Sequence, residues 1–135
     1  MIVVDASVLT DFLLGSAPAL EAVEALGQLE SESFHAPALI EPEVLNALRG
    51  MARSGQVSDE RAEVAVGALG RTRRILYPHG PFRERVWELR HELTAYDATY
   101  LALAERIDGS VLLTADPALA TRARHSIGAA SVRQI

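Results

Sequence analysis

Apolar positions along the chain follow two alternating periods. Short runs with few polar interruptions have the length and aliphatic content of strands: IVVD (2–5), FHAP (34–37), RILYP (74–78), SVLLTAD (110–116) and SVRQI (131–135). Between them lie longer stretches with apolar residues three and four apart, the period of an α-helix: SVLTDFLLG, ALEAVEALGQLE, ALIEPEVLNALRGMARSG, SDERAEVAVGALGRT, FRERVWELRHEL, TAYDATYLALAERIDG and PALATRAR. Several carry their own punctuation. Ser58 is placed to cap the helix it precedes, Gly55 and Gly109 close two others, and Pro117 fits a first helical position. Pro42 is tolerable only in the first turn of its helix.

Strands separated by helices imply a parallel sheet covered on both faces. The expectation is one α/β domain over residues 1–135, with four to five strands in the middle layer. Ligands of such sheets bind beyond the carboxyl ends of the strands, where helix N-termini point.

Composition narrows the chemistry. The chain has no cysteine, so disulfides, thiolate zinc sites and cysteine nucleophiles are excluded. All 13 basic residues of the Lys+Arg total are arginine, which removes mechanisms needing lysine, the Walker phosphate loop among them. No apolar run approaches the ~18 residues of a membrane span, and a soluble cytoplasmic protein is expected. The formal charge of −5 disfavours a nucleic-acid binder that works by charge alone.

Against that background four acids stand out. Asp5 ends the first strand, and Asp116 ends SVLLTAD directly before Pro117. Asp97 forms a Thr94-x-x-Asp97 capping pattern at the start of a helix so apolar that it must be buried. Glu43 lies early in a helix whose inward positions read as Val44, Leu45, Ala47 and Leu48. Each has a plain reading, as a helix cap or as a first-turn acid favoured by the dipole, and Ser7 is as able to cap as Asp5. Glu41 competes with Glu43 for any role, but two residues turn a helix by ~200°, so the pair cannot share a face. Asn46, one turn on, can share the face of Glu43. The plain readings leave the coincidence unexplained, because the α/β topology brings these positions to one edge. Gathered carboxylates repel until a proton or cation relieves them. With no cysteine, and with His35, His79, His91 and His125 outside these motifs, the ligands are oxygens, which suit Mg²⁺ or Mn²⁺.

The set DASVL, EVLNALR, LTAYDATYLALAE and LLTADPALA, in this order and spacing, resembles a PIN-domain ribonuclease, and more narrowly the VapC toxins of type II (VapBC) toxin–antitoxin systems. The resemblance covers essentially the whole chain. It implies a PIN-like three-layer α/β/α fold and a Mg²⁺-dependent endoribonuclease leaving 3′-hydroxyl and 5′-phosphate ends. By position, the family's acids fall on Asp5, Glu43, Asp97 and Asp116. Asp5 and Asp97 would be the main metal ligands, with Glu43 and Asp116 holding a second metal or orienting water. Ser7 and Thr114, with Asn46, would act one layer out. Two divalent ions on these acids would move the formal charge from −5 to −1. Arg49, Arg53, Arg71, Arg73, Arg74 and Arg90 are then candidates for RNA contact, with solvated faces or ion pairs as their plain reading. The resemblance further implies a VapB-type antitoxin, a homodimer, and no membrane. Leu14, Val23, Leu26 and Leu29 are candidates for an apolar groove, or simply for core.

Rival readings fare less well. Haloacid-dehalogenase phosphatases and receiver domains need a lysine beside the acids, and a structure-specific DNA nuclease needs a helical arch that 135 residues leave little room for. A catalytically silent PIN-fold module that binds RNA or a partner is the remaining alternative, and loss of acids would mark it.

Overall fold

The computed structural model describes residues 1–27 and 33–135. The described residues include five strands, β1 (Ile2–Val4), β2 (Phe34–Pro37), β3 (Arg74–Tyr77), β4 (Val111–Thr114) and β5 (Val132–Gln134). They form one parallel sheet in the order β3-β2-β1-β4-β5. Among the described residues are seven α-helices, α1 (Ala6–Leu13), α2 (Ala17–Ala25), α3 (Ile40–Arg53), α4 (Asp59–Arg71), α5 (Arg83–Glu88), α6 (Ala95–Arg106) and α7 (Pro117–Ile127). This is the three-layer α/β/α arrangement that the resemblance implied.

β1 is central because it is apolar on both faces. Ile2, Val3 and Val4 are all buried, as a strand covered by helices on both sides requires. It pairs with β4 through Ile2↔Val111, Val3↔Leu112 and Val4↔Leu113, and with β2 on its other side. The chain therefore runs outward from β1 to β2 and β3, then returns to the far side of β1 for β4. That reversal makes the β1/β4 edge a topological switch point, where the loops diverge and leave a crevice at the strands' carboxyl ends.

α1 packs on α2, α3 and α4, whereas α6 packs on α5 and α7 and against β1, β2 and β4. α6 is the most deeply set helix: Ala98, Thr99, Tyr100, Leu101, Ala102, Leu103 and Ala104 are all buried. Seven consecutive buried residues leave it no solvent face at mid-length, which explains its weak amphipathic pattern.

Two expectations need correction, and a third is settled toward core. Leu45 is 45% exposed rather than inward, because the buried stripe of α3 runs Ile40, Val44, Leu48. α5 stops at Glu88, short of Leu93, and the chain turns through a Leu93 N–H to Leu89 carbonyl bond of 3.0 Å. A helix continuing through Leu93 would leave no room to reverse before the extended Thr94 cap of α6. Of the expected groove, Val23 is core, Leu14 and Leu26 are half-buried against it, and Leu29 lies outside the described residues.

Candidate active site

Asp5 follows β1 directly, tied in by its N–H to the Leu113 carbonyl at 3.1 Å. Its Oδ1 accepts from the Val8 N–H at 2.9 Å and from the Ser7 hydroxyl at 2.7 Å, and its Oδ2 accepts from the Thr114 hydroxyl. Asp5, not Ser7, is thus the cap of α1, and Ser7 instead fixes the Asp5 carboxylate. The same oxygen of Thr114 accepts the Asp116 N–H at 2.9 Å, linking the ends of β1 and β4 in one chain of bonds. Only 5% of Asp5 is exposed.

Asp116 caps α7, accepting from the Leu119 N–H at 2.7 Å with Pro117 behind it. Thr94 caps α6, its hydroxyl accepting from the Asp97 N–H at 3.2 Å and also bonding the Asp97 side chain. Glu43, half-buried, accepts a hydrogen bond from the Tyr100 hydroxyl. Glu41 turns the other way and pairs with Arg74, as the ~200° rotation demands. Asn46 is exposed, and its side chain makes no hydrogen bond among the described residues.

The plain capping roles are therefore real for Asp5 and Asp116, but they do not account for the electrostatics. Burial pushes the Asp5 carboxyl above the usual carboxylate range, against the lowering effect of its three hydrogen bonds, and the Asp116 charge adds to the rise. Burial likewise raises Glu43, with help from the charges of Asp97 and Asp5. Asp97 rises through burial and through repulsion from Asp116 and Asp5. Burial and the Glu43 bond hold the Tyr100 phenol well above its ordinary range. The acids thus act on one another in a chain, Asp5 and Asp97 on Glu43, and Asp116 on both Asp5 and Asp97.

An unrelieved acidic cluster of oxygens alone matches the chemistry of Mg²⁺ or Mn²⁺. As the side chains stand, no three Asp, Glu, His or Cys among the described residues converge closely enough to enclose an ion. Asp5 is held by three donors, whereas Asp97 and Asp116, in or beside first helical turns, are partly exposed.

The arginines divide. Arg74 is taken up by Glu41 and by the Thr72 carbonyl at 2.8 Å. Arg90 lies outside α5, donates to the Trp87 carbonyl at 2.8 Å and stacks on the Trp87 ring, so it has no glutamate partner on that helix. Arg85 takes that role, bridging Glu88 and Glu105. Arg49, Arg53, Arg71 and Arg73 are exposed. Sequence reasoning missed Tyr100, although its place three residues after Asp97 puts both on one face of α6.

The model of the PIN domain family matches residues 2–124. Among curated relatives, Ribonuclease VapC1 of Mycobacterium tuberculosis is 41% identical over 119 residues, 87% of each chain. Ribonuclease VapC12 of the same organism is 36% identical over 126 residues, covering 93% of this chain and 95% of the relative. Ribonuclease VapC3, also from M. tuberculosis, is 35% identical over 129 residues, covering 94% of this chain and 92% of the relative.

Proposed function

The chain belongs to the PIN-domain family, on its VapC branch, and from that premise we propose that it is the toxin of a type II toxin–antitoxin pair, a Mg²⁺-dependent endoribonuclease. The observation that carries this reading is that Asp5, Glu43 and Asp97, at the carboxyl edge of the sheet, are raised by burial and by the charges of neighbouring acids, Asp116 among them. A chain that had given up catalysis would have no reason to keep that arrangement, and this is why the reading as a silent binding module ranks second.

Asp5 and Asp97 would hold the ion, with Glu43 and Asp116 placed for a second ion or an attacking water. Bound Mg²⁺ supplies a more acidic water and a positive charge for the developing phosphate oxyanion. The chain's own contribution is to orient. Ser7 and Thr114 fix the two oxygens of Asp5, so its free lone pairs face one way. The Tyr100 hydroxyl, kept protonated by burial, does the same for Glu43. Thr114 also couples Asp5 to the Asp116 backbone, so the two strand ends move together. Cleavage by this set leaves 3′-hydroxyl and 5′-phosphate ends.

A VapB-type antitoxin and a homodimer complete the proposal, with the cytoplasm as the place of action. The groove between α3 and α4, about 400 Å³ and lined by Leu45, Arg49, Ala62 and Val66, offers apolar surface for such a partner. No single helix among the described residues is long and apolar enough to cross a membrane.

Inducible expression of the wild type and Asp5→Asn in bacteria tests the proposal. Growth arrest with discrete RNA fragments from the wild type alone is expected. Arrest by both proteins without fragments would establish toxicity by binding and overturn the nuclease reading.

A further inference from the structure

On the other flank of α6 from the acids lies a cavity of about 550 Å³, lined by His79, Gly80, Arg83, Val86, Trp87 and Thr99. It opens at the same edge of the sheet as the acids. His79 follows β3, and its Nε2 accepts the Leu39 N–H at 2.9 Å, fastening this wall to the start of the Glu43 helix. Thr99 follows Asp97 by two residues, so α6 turns the carboxylate to one side and the cavity to the other.

The lining is that of neither core nor an ordinary surface. Trp87 is the chain's one tryptophan, and it is 68% exposed. The Arg90 guanidinium sits 4.8 Å from its ring centroid, yet the indole still lines the cavity. Tyr96, the residue before Asp97, is 62% exposed. Arg85 and Glu88 neutralise each other, whereas Arg83 and Arg90 have no carboxylate partner among the described residues. Against these two cations stands the exposed Glu84. An exposed indole backed by a guanidinium, with a second free cation in the same wall, is complementary to a flat ring attached to a negative backbone. Unpaired bases of RNA are recognised in this way, by stacking on aromatic and arginine planes. The cavity's size falls in the range of small-ligand sites.

We propose that the Trp87–Arg83–His79 cavity is a nucleobase subsite that takes one unpaired base of the RNA chain and so sets its backbone toward Asp97. This rests on the ribonuclease reading, and it restricts the substrate to RNA with a flipped or single-stranded base near the cut. A duplex, with its bases stacked inside, cannot enter.

The single tryptophan is its own reporter. A randomised single-stranded RNA hexamer is titrated into the Asp5→Asn chain, with Trp87 emission read beside the anisotropy of end-labelled RNA. An abasic hexamer and a short duplex serve as comparators. The expected result is quenching by the single strand alone. Trp87→Ala is expected to weaken the anisotropy-detected affinity roughly tenfold, and Trp87→Phe to restore most of it. Equal quenching by the abasic hexamer would reduce the site to backbone charge and overturn the proposal. So would RNA binding without quenching, or no binding at all. An emission shift on raising protein concentration without RNA would assign the cavity to a second copy, and also overturn it. Cleavage by the wild type is read separately: if it cuts RNA while Trp87 is silent, the subsite fails and the nuclease reading stands. If it does not cut, the nuclease reading fails whatever Trp87 reports.

Discussion

The Asp5 carboxylate satisfies the Val8 N–H and takes bonds from Ser7 and Thr114, yet it is held almost out of water among three other acids. These facts have opposite signs in stability. Its folded pKa is raised, so between the ordinary aspartate value of 3.8 and the raised one the folded chain binds more protons than the unfolded. Stability of the metal-free protein therefore falls as pH rises through that window, and at neutral pH the ionised acids work against the fold. Asn caps a helix about as well as Asp. Asp5→Asn should thus raise metal-free stability at pH 7 by about 0.5–2 kcal/mol, while cutting RNA cleavage by ~10²-fold or more. Thermal melts in EDTA beside cleavage rates check both halves; a variant that is less stable and equally active would contradict the assignment. Tyr100→Phe removes the hydroxyl bond that orients Glu43 and should cost roughly 10–100-fold in activity or metal affinity. The two residues were not equally legible. Asp5 announces itself, because a charge ending an apolar strand needs a reason. Tyr100 sits in a run of apolar residues and reads as core, and its partner lies 57 positions away in sequence, beyond any periodicity.

Among the elements, α6 carries both the site and the core. Its first two turns present Asp97 and Tyr100 to the acids, and its middle is buried all round. Leu101, fully buried, has no exposed face to relax toward, so Leu101→Ala should cost about 2–5 kcal/mol in denaturant unfolding. The last turn is held differently. Glu105 receives two bonds from Arg85, 2.8 and 2.9 Å, and one from Ser126. Burial alone would raise the Glu105 carboxyl, but the Arg85 and Ser126 bonds outweigh it and hold it below the usual range. Its contribution is then fully present above the ordinary glutamate value of 4.5 and is lost as pH falls below it, the reverse of the site acids. Glu105→Gln should destabilise at pH 7 by up to about 1 kcal/mol, and the difference from wild type should shrink as pH falls below the ordinary glutamate value of 4.5. The burial of α6 was legible from its composition, and the early stop of α5 was not. Leu89 and Leu93 repeat at helical spacing whether the chain between them is a helix or, as here, a turn.

For the whole molecule, the alternation of strands and helices was enough to give an α/β sheet, since the runs of β1 and β4 are almost entirely apolar and must be covered on both faces. Strand order was not legible, because the same alternation serves many orders. The order that places β1 between β2 and β4 is what sets Asp5 beside Asp116 and makes four separate helix-start acids into one cluster. If that cluster exists to hold a cation, the cation should stabilise the fold. Saturating Mg²⁺ at ~100 times its Kd should add about 2.7 kcal/mol to the wild type and little to Asp5→Asn. The most direct measurement is cleavage of single-stranded RNA by the purified chain in Mg²⁺, in EDTA, and with Asp97→Asn in Mg²⁺. Cleavage in the first condition alone is the predicted result. Cleavage that persists in EDTA, or that Asp97→Asn leaves intact, would contradict the claim that these acids form a metal-dependent nuclease centre.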